Sequence, residues 1–251
     1  MDKEIILETK NYIKELKIAG IRNDLNQKLA EAYRDNTPYE ELLRDLFRDA
    51  YDMRKENGRK NRIKNAKFPY KKYLDTLIVD YLPESAQAKF KELKSLKFIE
   101  ENRNIIFSGN PGTGKSHLSI GLGIKACNEG YKVFFATVPQ FINQLKETQS
   151  ERRLTNFESK FQKYDLIILD ELGYISFDQK GSELLFSFLS LRAERKSTII
   201  TSNLSFERWN EVFNDPALTA AMVDRLTHKS YVINMNGNSY RMKETKEWLG
   251  Q

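Results

Sequence analysis

The stretch Gly109-Asn110-Pro111-Gly112-Thr113-Gly114-Lys115-Ser116 (GNPGTGKS, residues 109–116) decides the fold. It fits the phosphate-binding pattern G-x-x-x-x-G-K-[ST] completely, with an apolar run before it and a helix-like segment after it. The glycines allow backbone N–H groups to turn toward phosphate oxygens, and the helix N-terminus adds the positive end of its dipole. We therefore expect these residues to bind the phosphates of ATP. Lys115 should reach the β- and γ-phosphates, and the Ser116 hydroxyl should ligate Mg²⁺. His117 joins the ATP-binding candidates and is expected on the helix surface, not in catalysis.

A pair of carboxylates follows a buried strand further along the chain. The continuous apolar run over 166–169 ends in Asp170 and Glu171, and ligands of open α/β sheets bind at the C-terminal ends of the strands. Asp170 is predicted to hold Mg²⁺, directly or through water. Glu171 is predicted to orient and deprotonate the water that attacks the γ-phosphate. A small-molecule kinase needs no such acid, so the pair favours ATP hydrolysis.

Two further residues are candidates on less specific patterns. Asn203 ends the run Thr201-Ser202-Asn203 and could position the attacking water or sense the γ-phosphate, although Asn at a strand end commonly forms a turn. Arg225, on a predicted helix before the last strand, could reach the ATP of a neighbouring subunit as an arginine finger. A surface ion pair is the alternative interpretation of Arg225.

Short apolar runs alternate with helical segments from about residue 100 onward. Continuous apolar strands are buried on both faces, and helices between them imply a parallel sheet in an α/β sandwich. The predicted strands lie in five segments: NIIFSG (104–109), KVFFATV (132–138), DLIILDE (165–171), STIITSN (197–203) and YVINMNG (231–237).

The first part of the chain is predicted to be helical. Helical pieces around 3–17 and 21–34 are separated near Gly20, and Thr37-Pro38 marks the start of another helix. Residues 1–65 are therefore predicted to form a small all-helical N-terminal domain, followed by a basic linker to about residue 72 and an ATPase domain over 73–251. Apolar residues at three-and-four spacing predict one apolar face on the third helical piece: Leu42, Leu43, Leu46, Phe47 and Ala50.

Composition excludes several classes of protein. The 251 residues are 40% hydrophobic and 30% charged, and the N-terminus lacks the pattern of a signal peptide. No apolar run approaches the roughly 20 residues that cross a bilayer. The single cysteine, Cys127, excludes an intrachain disulfide and a multi-cysteine zinc site. We expect a cytoplasmic protein that makes no membrane contact.

The positive charge is concentrated in one stretch. Residues 54–72 contain nine Lys or Arg and one Glu, so this stretch carries more positive charge than the net +6 of the whole chain. Such a stretch favours binding to a polyanion, either nucleic acid or an acidic membrane surface, and a solvated linker is the alternative. The candidate DNA contacts within it are Arg54, Lys55, Arg59, Lys60, Arg62 and Lys64.

Several motifs together carry a resemblance to a known family. In chain order they are GNPGTGKSHL, LDELGY, ELLFSFLSLR, TSNLSFERW, the DRLTH segment and GNSYRMKE. This series resembles the IstB family of ATP-binding transposition helpers of bacterial insertion sequences, over nearly the whole chain. That family is similar to the DnaC helicase loaders, and both belong to the AAA+ class. The resemblance implies an AAA+ P-loop three-layer sandwich with a five-stranded parallel sheet, in which adjacent subunits share each ATP.

The resemblance also implies roles for single residues. It implies that Asn203 is the sensor residue and that Arg225 acts in trans. Arg241 matches the usual place of a second sensor arginine, although residues 243–251 after it are expected to be too few for a full helical lid domain. Initiator and loader ATPases carry a DNA-facing helical insertion between the second and third strands, here residues 140–163. Its candidate DNA contacts are Lys146, Arg152 and Arg153.

The family finally implies what the ATP is used for. Its members assemble on double-stranded DNA as helical or clamp-like multimers, deform the DNA, and recruit and stimulate a partner transposase. We expect such a DNA-remodelling ATPase, with contacts mainly to the DNA backbone and its shape. The alternatives are a DnaC-like loader that docks on a replicative helicase and prefers single-stranded DNA, a nucleotide-dependent binding module with negligible hydrolysis, and a metabolite kinase.

Overall fold

Helices form the N-terminal part of the chain in the computed structural model, which describes residues 3–22 and 24–249. The predicted domains also include residues 1, 2, 23, 250 and 251, which lie outside the described residues. Two compact units are present, Met1–Asn61 and Arg62–Gln251. The first helices are α1 (Lys3–Glu15), α2 (Ala19–Arg22), α3 (Leu25–Arg34) and α4 (Tyr39–Asn65).

The hydrophobic core of the first unit is small and uses a narrow face of α4. Leu46 is buried there, with Leu42 partly buried beside it. Leu43 and Phe47, which are predicted on the same apolar face, are not buried in this core, and their exposed fractions are 54% and 58%. Leu43 comes one position after Leu42, and Phe47 comes one position after Leu46. One position along an α-helix rotates the side chain by about 100° around the helix axis. The other buried members of this core are Ile13, Ile21 and Leu25.

The basic stretch is largely helical. Helix α4 has 27 residues, and residues 54–64 lie in its C-terminal half. This half is strongly polar. Across the part of the chain that the structure describes, no helix is both long enough and apolar enough to cross a membrane.

Five parallel strands form the sheet of the second unit, which confirms the predicted sheet. Their order is β2-β3-β4-β1-β5, so the strand that leads into the phosphate-binding loop is flanked on both sides. All neighbouring strands pair in parallel. The strands are β1 (Ile105–Ser108), β2 (Val133–Thr137), β3 (Leu166–Leu172), β4 (Ser197–Ser202) and β5 (Tyr231–Asn234).

Helices cover both faces of this sheet. They are α5 (Glu84–Lys94), α6 (Lys97–Glu100), α7 (Lys115–Asn128), α8 (Val138–Ser150), α9 (Leu154–Phe161), α10 (Gln179–Arg192), α11 (Asn210–Phe213) and α12 (Pro216–Thr227). Helix α13 (Tyr240–Trp248) follows β5 and buries none of its residues. The 3₁₀ turns lie at Leu74–Thr76, Val79–Tyr81 and Phe206–Arg208. Successive strand residues enter different cores: Ile105 and Phe107 pack with α7, whereas Ile106 packs with α8 and α10. The result is the predicted three-layer α/β sandwich.

The segment after α4 packs on the edge of the sheet. Ala66 is fully buried, and its carbonyl accepts a hydrogen bond of 2.8 Å from the backbone N–H of Phe135 in the edge strand β2. The ring of Phe68 lies 6.0 Å from the ring of Phe135. The second compact unit accordingly starts at Arg62, ahead of residue 73, where the sequence places the start of the ATPase domain.

A buried arginine joins the helical insertion to the sheet. Arg192, at the end of α10, is 2% exposed. Its guanidinium donates hydrogen bonds to the carbonyls of Phe161, Tyr164 and Ser197 at 2.9, 3.2 and 2.9 Å. Burial lowers the pKa of Arg192 to about 10. This side chain therefore fixes the end of α9 against α10 and the start of β4.

Candidate nucleotide site

The loop between β1 and α7 has the backbone conformation that the glycine pattern predicts. Gly112 and Gly114 have φ angles of +79° and +94°, in the left-handed region that glycine adopts without steric cost. A side chain at residue 112 would collide with the hydroxyl of Ser239. The Thr113 hydroxyl closes the turn by donating to the carbonyl of Asn110 at 2.9 Å. The loop therefore enters the first turn of α7 directly, where unpaired N–H groups are available to an anion.

Lys115 is buried and held by its own loop. Its Nζ donates to the carbonyls of Gly109 and Asn110 at 2.6 and 2.5 Å. Burial lowers the pKa of Lys115 to about 8, an effect that the nearby Asp170 carboxylate partly opposes and Arg241 reinforces. The ammonium group lies in the loop where phosphate oxygens are expected, so it can exchange carbonyl partners for phosphate partners.

Asp170 and Ser116 meet at the C-terminal end of β3. Asp170 is 4% exposed, and its Oδ1 accepts a hydrogen bond of 3.0 Å from the Ser116 hydroxyl. The Thr201 hydroxyl donates to the same carboxylate oxygen. A hydroxyl and a carboxylate oxygen are ligands that Mg²⁺ prefers, so the residues present fit a magnesium ion beside the phosphate loop.

A register shift re-aims Glu171. Two residues of β3, Asp170 and Glu171, lie opposite the single residue Thr201 of β4. Glu171 has a φ of +68°, which is uncommon for a residue other than glycine, and its N–H donates to the Thr201 hydroxyl at 3.0 Å. An extra residue of this kind turns a side chain out of the strand alternation. Burial, followed by the charge of Asp170, raises the pKa of the Glu171 carboxyl.

The amide of Asn203 has an unused acceptor. Its Oδ1 is buried and has no hydrogen-bond partner among the residues that the structure describes. A side chain at Gly173, which has a φ of +110°, would press against this oxygen. Because a buried acceptor without a partner is costly, Asn203 is suited to accept a hydrogen bond from a bound ligand or water.

One cavity of about 330 Å³ brings most of the predicted residues together. Glu171, Asn203 and Arg241 line it together with residues 111–117. Gly109 and Asn110 adjoin it through their bonds to Lys115, and Asp170 adjoins it through Ser116.

His117 also lines this cavity. Its Nε2 lies 3.1 Å from the carbonyl oxygen of Tyr73 and 3.5 Å from the Thr76 hydroxyl. Burial lowers the pKa of His117, so the neutral imidazole is favoured. The geometry gives this side chain a contact with the neighbouring wall of the cavity.

Sequence reasoning missed that wall. Tyr70, Tyr81 and Tyr240 line the cavity, and the rings of Tyr81 and Tyr240 lie 5.3 Å apart. The backbone N–H of Tyr240 donates to the carbonyl of Gly112 at 3.0 Å, which ties α13 to the loop. Tyr240 lies beside Arg241 in the segment GNSYRMKE, whereas neither Tyr70 nor Tyr81 lies in one of the motifs described above.

Arg225 lies outside this cavity. It is exposed on α12, with its Cζ 5.0 Å from the centroid of the Phe186 ring on α10. The other predicted arginine of the site, Arg241, is at the cavity itself.

The candidate DNA contacts on α4 differ in how far their charges are already paired. Arg59 forms two hydrogen bonds to Glu56, at 2.7 and 2.6 Å, and Lys60 lies 3.6 Å from the same carboxylate. These cations lower the pKa of Glu56 to about 2. Arg62 donates to the carbonyl of Cys127, at the C-terminal end of α7, at 2.7 Å. The other candidates on α4 are exposed and form no ion pair within the described residues. They are Arg54, Lys55 and Lys64.

The insertion between β2 and β3 is helical, as expected, and two of its three candidate cations are paired. Lys146 lies 2.6 Å from the carboxylate of Asp178, and Arg153 pairs with Glu151. Arg152 is exposed and, as far as the described residues go, without an ion pair.

The five-stranded parallel sheet and the glycine-rich loop at the cavity define a P-loop protein. Comparison with protein families then gives a more specific result. The chain belongs to the family of IstB-like ATP binding proteins, whose family model matches residues 11–248.

Individual relatives agree with this family. The chain is 36% identical over 211 residues to the protein of insertion sequence IS5376 from Geobacillus stearothermophilus, covering 84% of each chain. It is 33% identical over 240 residues to the IS21 protein of Pseudomonas aeruginosa, covering 96% of this chain and 91% of that one. Both relatives are named as ATP-binding proteins of insertion sequences.

Solved structures share the fold. The DnaC helicase loader superposes with a TM-score of 0.51 at 22% identity, covering 68% of this chain and 98% of that one. The AMPPCP-bound DnaA of Aquifex aeolicus superposes with a TM-score of 0.56 at 21% identity, covering 73% of this chain and 55% of that one. At this level of identity the likeness extends to the fold alone.

Proposed function

We propose that this protein is an ATPase that binds double-stranded DNA, multimerises on it as a helical or clamp-like assembly, and recruits and stimulates the transposase of an insertion sequence. Its family and its relatives named for insertion sequences support this proposal. The observation that carries the ATPase part is the register shift that sets Glu171 at the cavity, beside Asp170 and the phosphate loop.

In this proposal, residues 109–117 bind the phosphates of ATP. The Nζ of Lys115 exchanges its two loop carbonyls for phosphate oxygens, and Arg241 adds a second cationic group at the cavity. Ser116 and Asp170 hold Mg²⁺, which when bound offsets the negative charge of the β- and γ-phosphates.

Glu171 then orients the attacking water and accepts its proton. Its raised pKa makes it a stronger base than an exposed glutamate. The unused acceptor of Asn203 supports a role in holding the same water or in sensing the γ-phosphate. A metabolite kinase needs neither group, and a binding module without hydrolysis has no use for the re-aimed carboxylate.

Arg225 completes the site of a neighbouring subunit. Its position outside the cavity of its own chain supports an action in trans. Such a guanidinium stabilises the charge that develops on the transferred phosphoryl group, with effects of about 10³–10⁵ on rate in known cases.

DNA contacts are assigned to the basic residues of α4 and of the insertion. Arg54, Lys55, Lys64 and Arg152 are the first choices, because no carboxylate among the described residues pairs with them. The remaining candidates would have to exchange an existing partner for a phosphate. We assign DNA binding and assembly to residues 1–65, with the basic linker to about residue 72, and ATP hydrolysis to residues 73–251.

The proposal is tested by measuring ATP turnover and multimer formation with and without duplex DNA. We expect duplex DNA to stimulate turnover, Lys115→Ala to abolish ATP binding and DNA-bound multimers, and Glu171→Gln to trap ATP-bound multimers on DNA. An isolated subunit that hydrolyses ATP at full rate without DNA would contradict the proposal.

Sharing of the site is tested by mixing two inactive variants. Arg225→Ala protein keeps Glu171, and Glu171→Gln protein keeps Arg225. A mixed multimer contains seams at which an intact site meets an intact arginine. We expect the mixture to regain turnover that neither variant has alone, and an inactive mixture would remove Arg225 from its trans role.

A helicase loader remains the second candidate, because the DnaC loader shares the fold. It predicts a preference for single-stranded DNA and binding to a replicative helicase. Equilibrium binding to matched single- and double-stranded oligonucleotides separates the two functions, since only the transposition helper is expected to prefer the duplex.

A further inference from the structure

The guanidinium of Arg225 lies over an aromatic ring. Its Cζ is 5.0 Å from the centroid of Phe186, within the range of a cation–π contact. Phe186 belongs to α10, is half-buried, and packs against the core between the sheet and α8, α10 and α12. The core therefore fixes the ring, whereas the side chain of Arg225 is exposed and is not packed into the core.

The contact with the ring differs in kind from an ion pair. In the part of the chain that the structure describes, no carboxylate pairs with this guanidinium, unlike Arg208, which forms two hydrogen bonds to Glu211 at 2.8 and 2.9 Å. A carboxylate partner would occupy N–H donors. An aromatic ring instead contacts the flat face of the guanidinium and leaves its five N–H donors free for phosphate oxygens.

We infer that Phe186 is a positioning residue for the trans-acting Arg225. It holds the guanidinium in one orientation before the neighbouring subunit's ATP arrives, and the ring contact can persist while the donors bind the γ-phosphate. The inference rests on the proposed sharing of ATP sites between subunits.

The expected effect is modest and directional. Loss of a cation–π contact at an exposed site changes an equilibrium constant or a rate by about two- to fivefold. Removing the ring should therefore slow turnover by about that factor at the neighbouring site, because fewer guanidinium groups are correctly oriented. It should leave ATP binding in the chain that carries the substitution unchanged, since Phe186 does not line the cavity.

The test uses the mixed multimer of Arg225→Ala and Glu171→Gln chains on duplex DNA. In that mixture the Glu171→Gln chain supplies the arginine, and the Arg225→Ala chain supplies the site that hydrolyses ATP. Phe186→Leu, which keeps apolar bulk without a ring, is placed in one chain or the other. We expect about two- to fivefold lower kcat, with unchanged KM for ATP, only when it is in the arginine-supplying chain.

Phe186→Tyr is the conservative control. It keeps the ring and should restore the full kcat when it is in the arginine-supplying chain. A general loss of packing would reduce kcat from either chain alike, so equal effects in both placements would overturn the inference. If Phe186→Leu in the arginine-supplying chain leaves the kcat of the mixture unchanged, the inference about Phe186 is overturned and the shared site stands. If the parent mixture, without any change at Phe186, shows no turnover, the shared site and this inference are overturned together.

Discussion

The buried ammonium group of Lys115 makes ATP affinity depend on pH in a calculable way. With a pKa of about 8 in the protein alone, roughly nine in ten Lys115 side chains are charged at pH 7 and roughly one in ten at pH 9. Phosphate oxygens favour the charged form, so binding raises this pKa and takes up a proton. If only charged Lys115 binds ATP, affinity falls about tenfold, or about 1.4 kcal/mol, from pH 7 to pH 9.

Isothermal titration calorimetry measures both consequences. Titrations in pairs of buffers with different ionisation enthalpies give the number of protons taken up on binding. We expect uptake of roughly 0.1 proton at pH 7 and roughly 0.9 at pH 9, from the same pKa shift. Dissociation constants from the same titrations should increase over this interval.

Two controls identify Lys115 as the group that titrates. Adenosine has no phosphate, so its binding should be independent of pH over this range. His117→Gln removes the other titratable cavity residue whose pKa is lowered by burial, and it should leave the proton uptake unchanged. Equal proton uptake at pH 7 and pH 9, or equal affinity, would refute the assigned role of burial at Lys115.

Three further predictions concern other parts of the chain. Thr201→Val removes the hydroxyl that joins Asp170 to Glu171, and it should slow ATP turnover at saturating ATP about tenfold. Thr201→Ser keeps the hydroxyl and should not slow turnover, so equal turnover rates for the two variants would exclude this role of the hydroxyl. Arg192→Met leaves buried carbonyls without a donor and should lower the free energy of unfolding in urea by about 3 kcal/mol, against almost no change for the exposed Arg195→Met. Lys64→Ala should reduce the slope of log K for duplex binding against log salt concentration by about 1. Lys180→Ala is the control, and equal slopes for the two variants would remove Lys64 from the DNA surface.

The parts of the site that the sequence predicts are local in the chain. The phosphate loop is eight consecutive residues, in which the glycines set the backbone geometry and Lys115 and Ser116 supply an ammonium group and a hydroxyl group. Asp170 and Glu171 lie at the C-terminal end of a strand whose apolar character requires burial on both faces. The five strands are predictable from sequence for a related reason, because each is a continuous apolar run between helical segments.

Other features depend on contacts between distant residues. The tyrosine wall of the cavity comes from Tyr70, Tyr81 and Tyr240, which α13 and the segment before β1 bring together. The exposure of Leu43 and Phe47 depends on how wide a face of α4 the short helices before it cover. Neither spacing nor composition encodes these distances.

The amino-acid sequence by itself determined that this chain forms a parallel α/β sheet with an ATP-binding loop and an acid pair, since those properties follow from short-range pattern and backbone stereochemistry. Only the tertiary structure decided that a register shift turns Glu171 toward the cavity, that Thr201 links it to Asp170, and that Arg225 lies on Phe186 outside the site. The physical reason is that strand register and helix packing are fixed by the cooperative burial of side chains far apart in sequence, and these long-range contacts set the positions of the reacting groups.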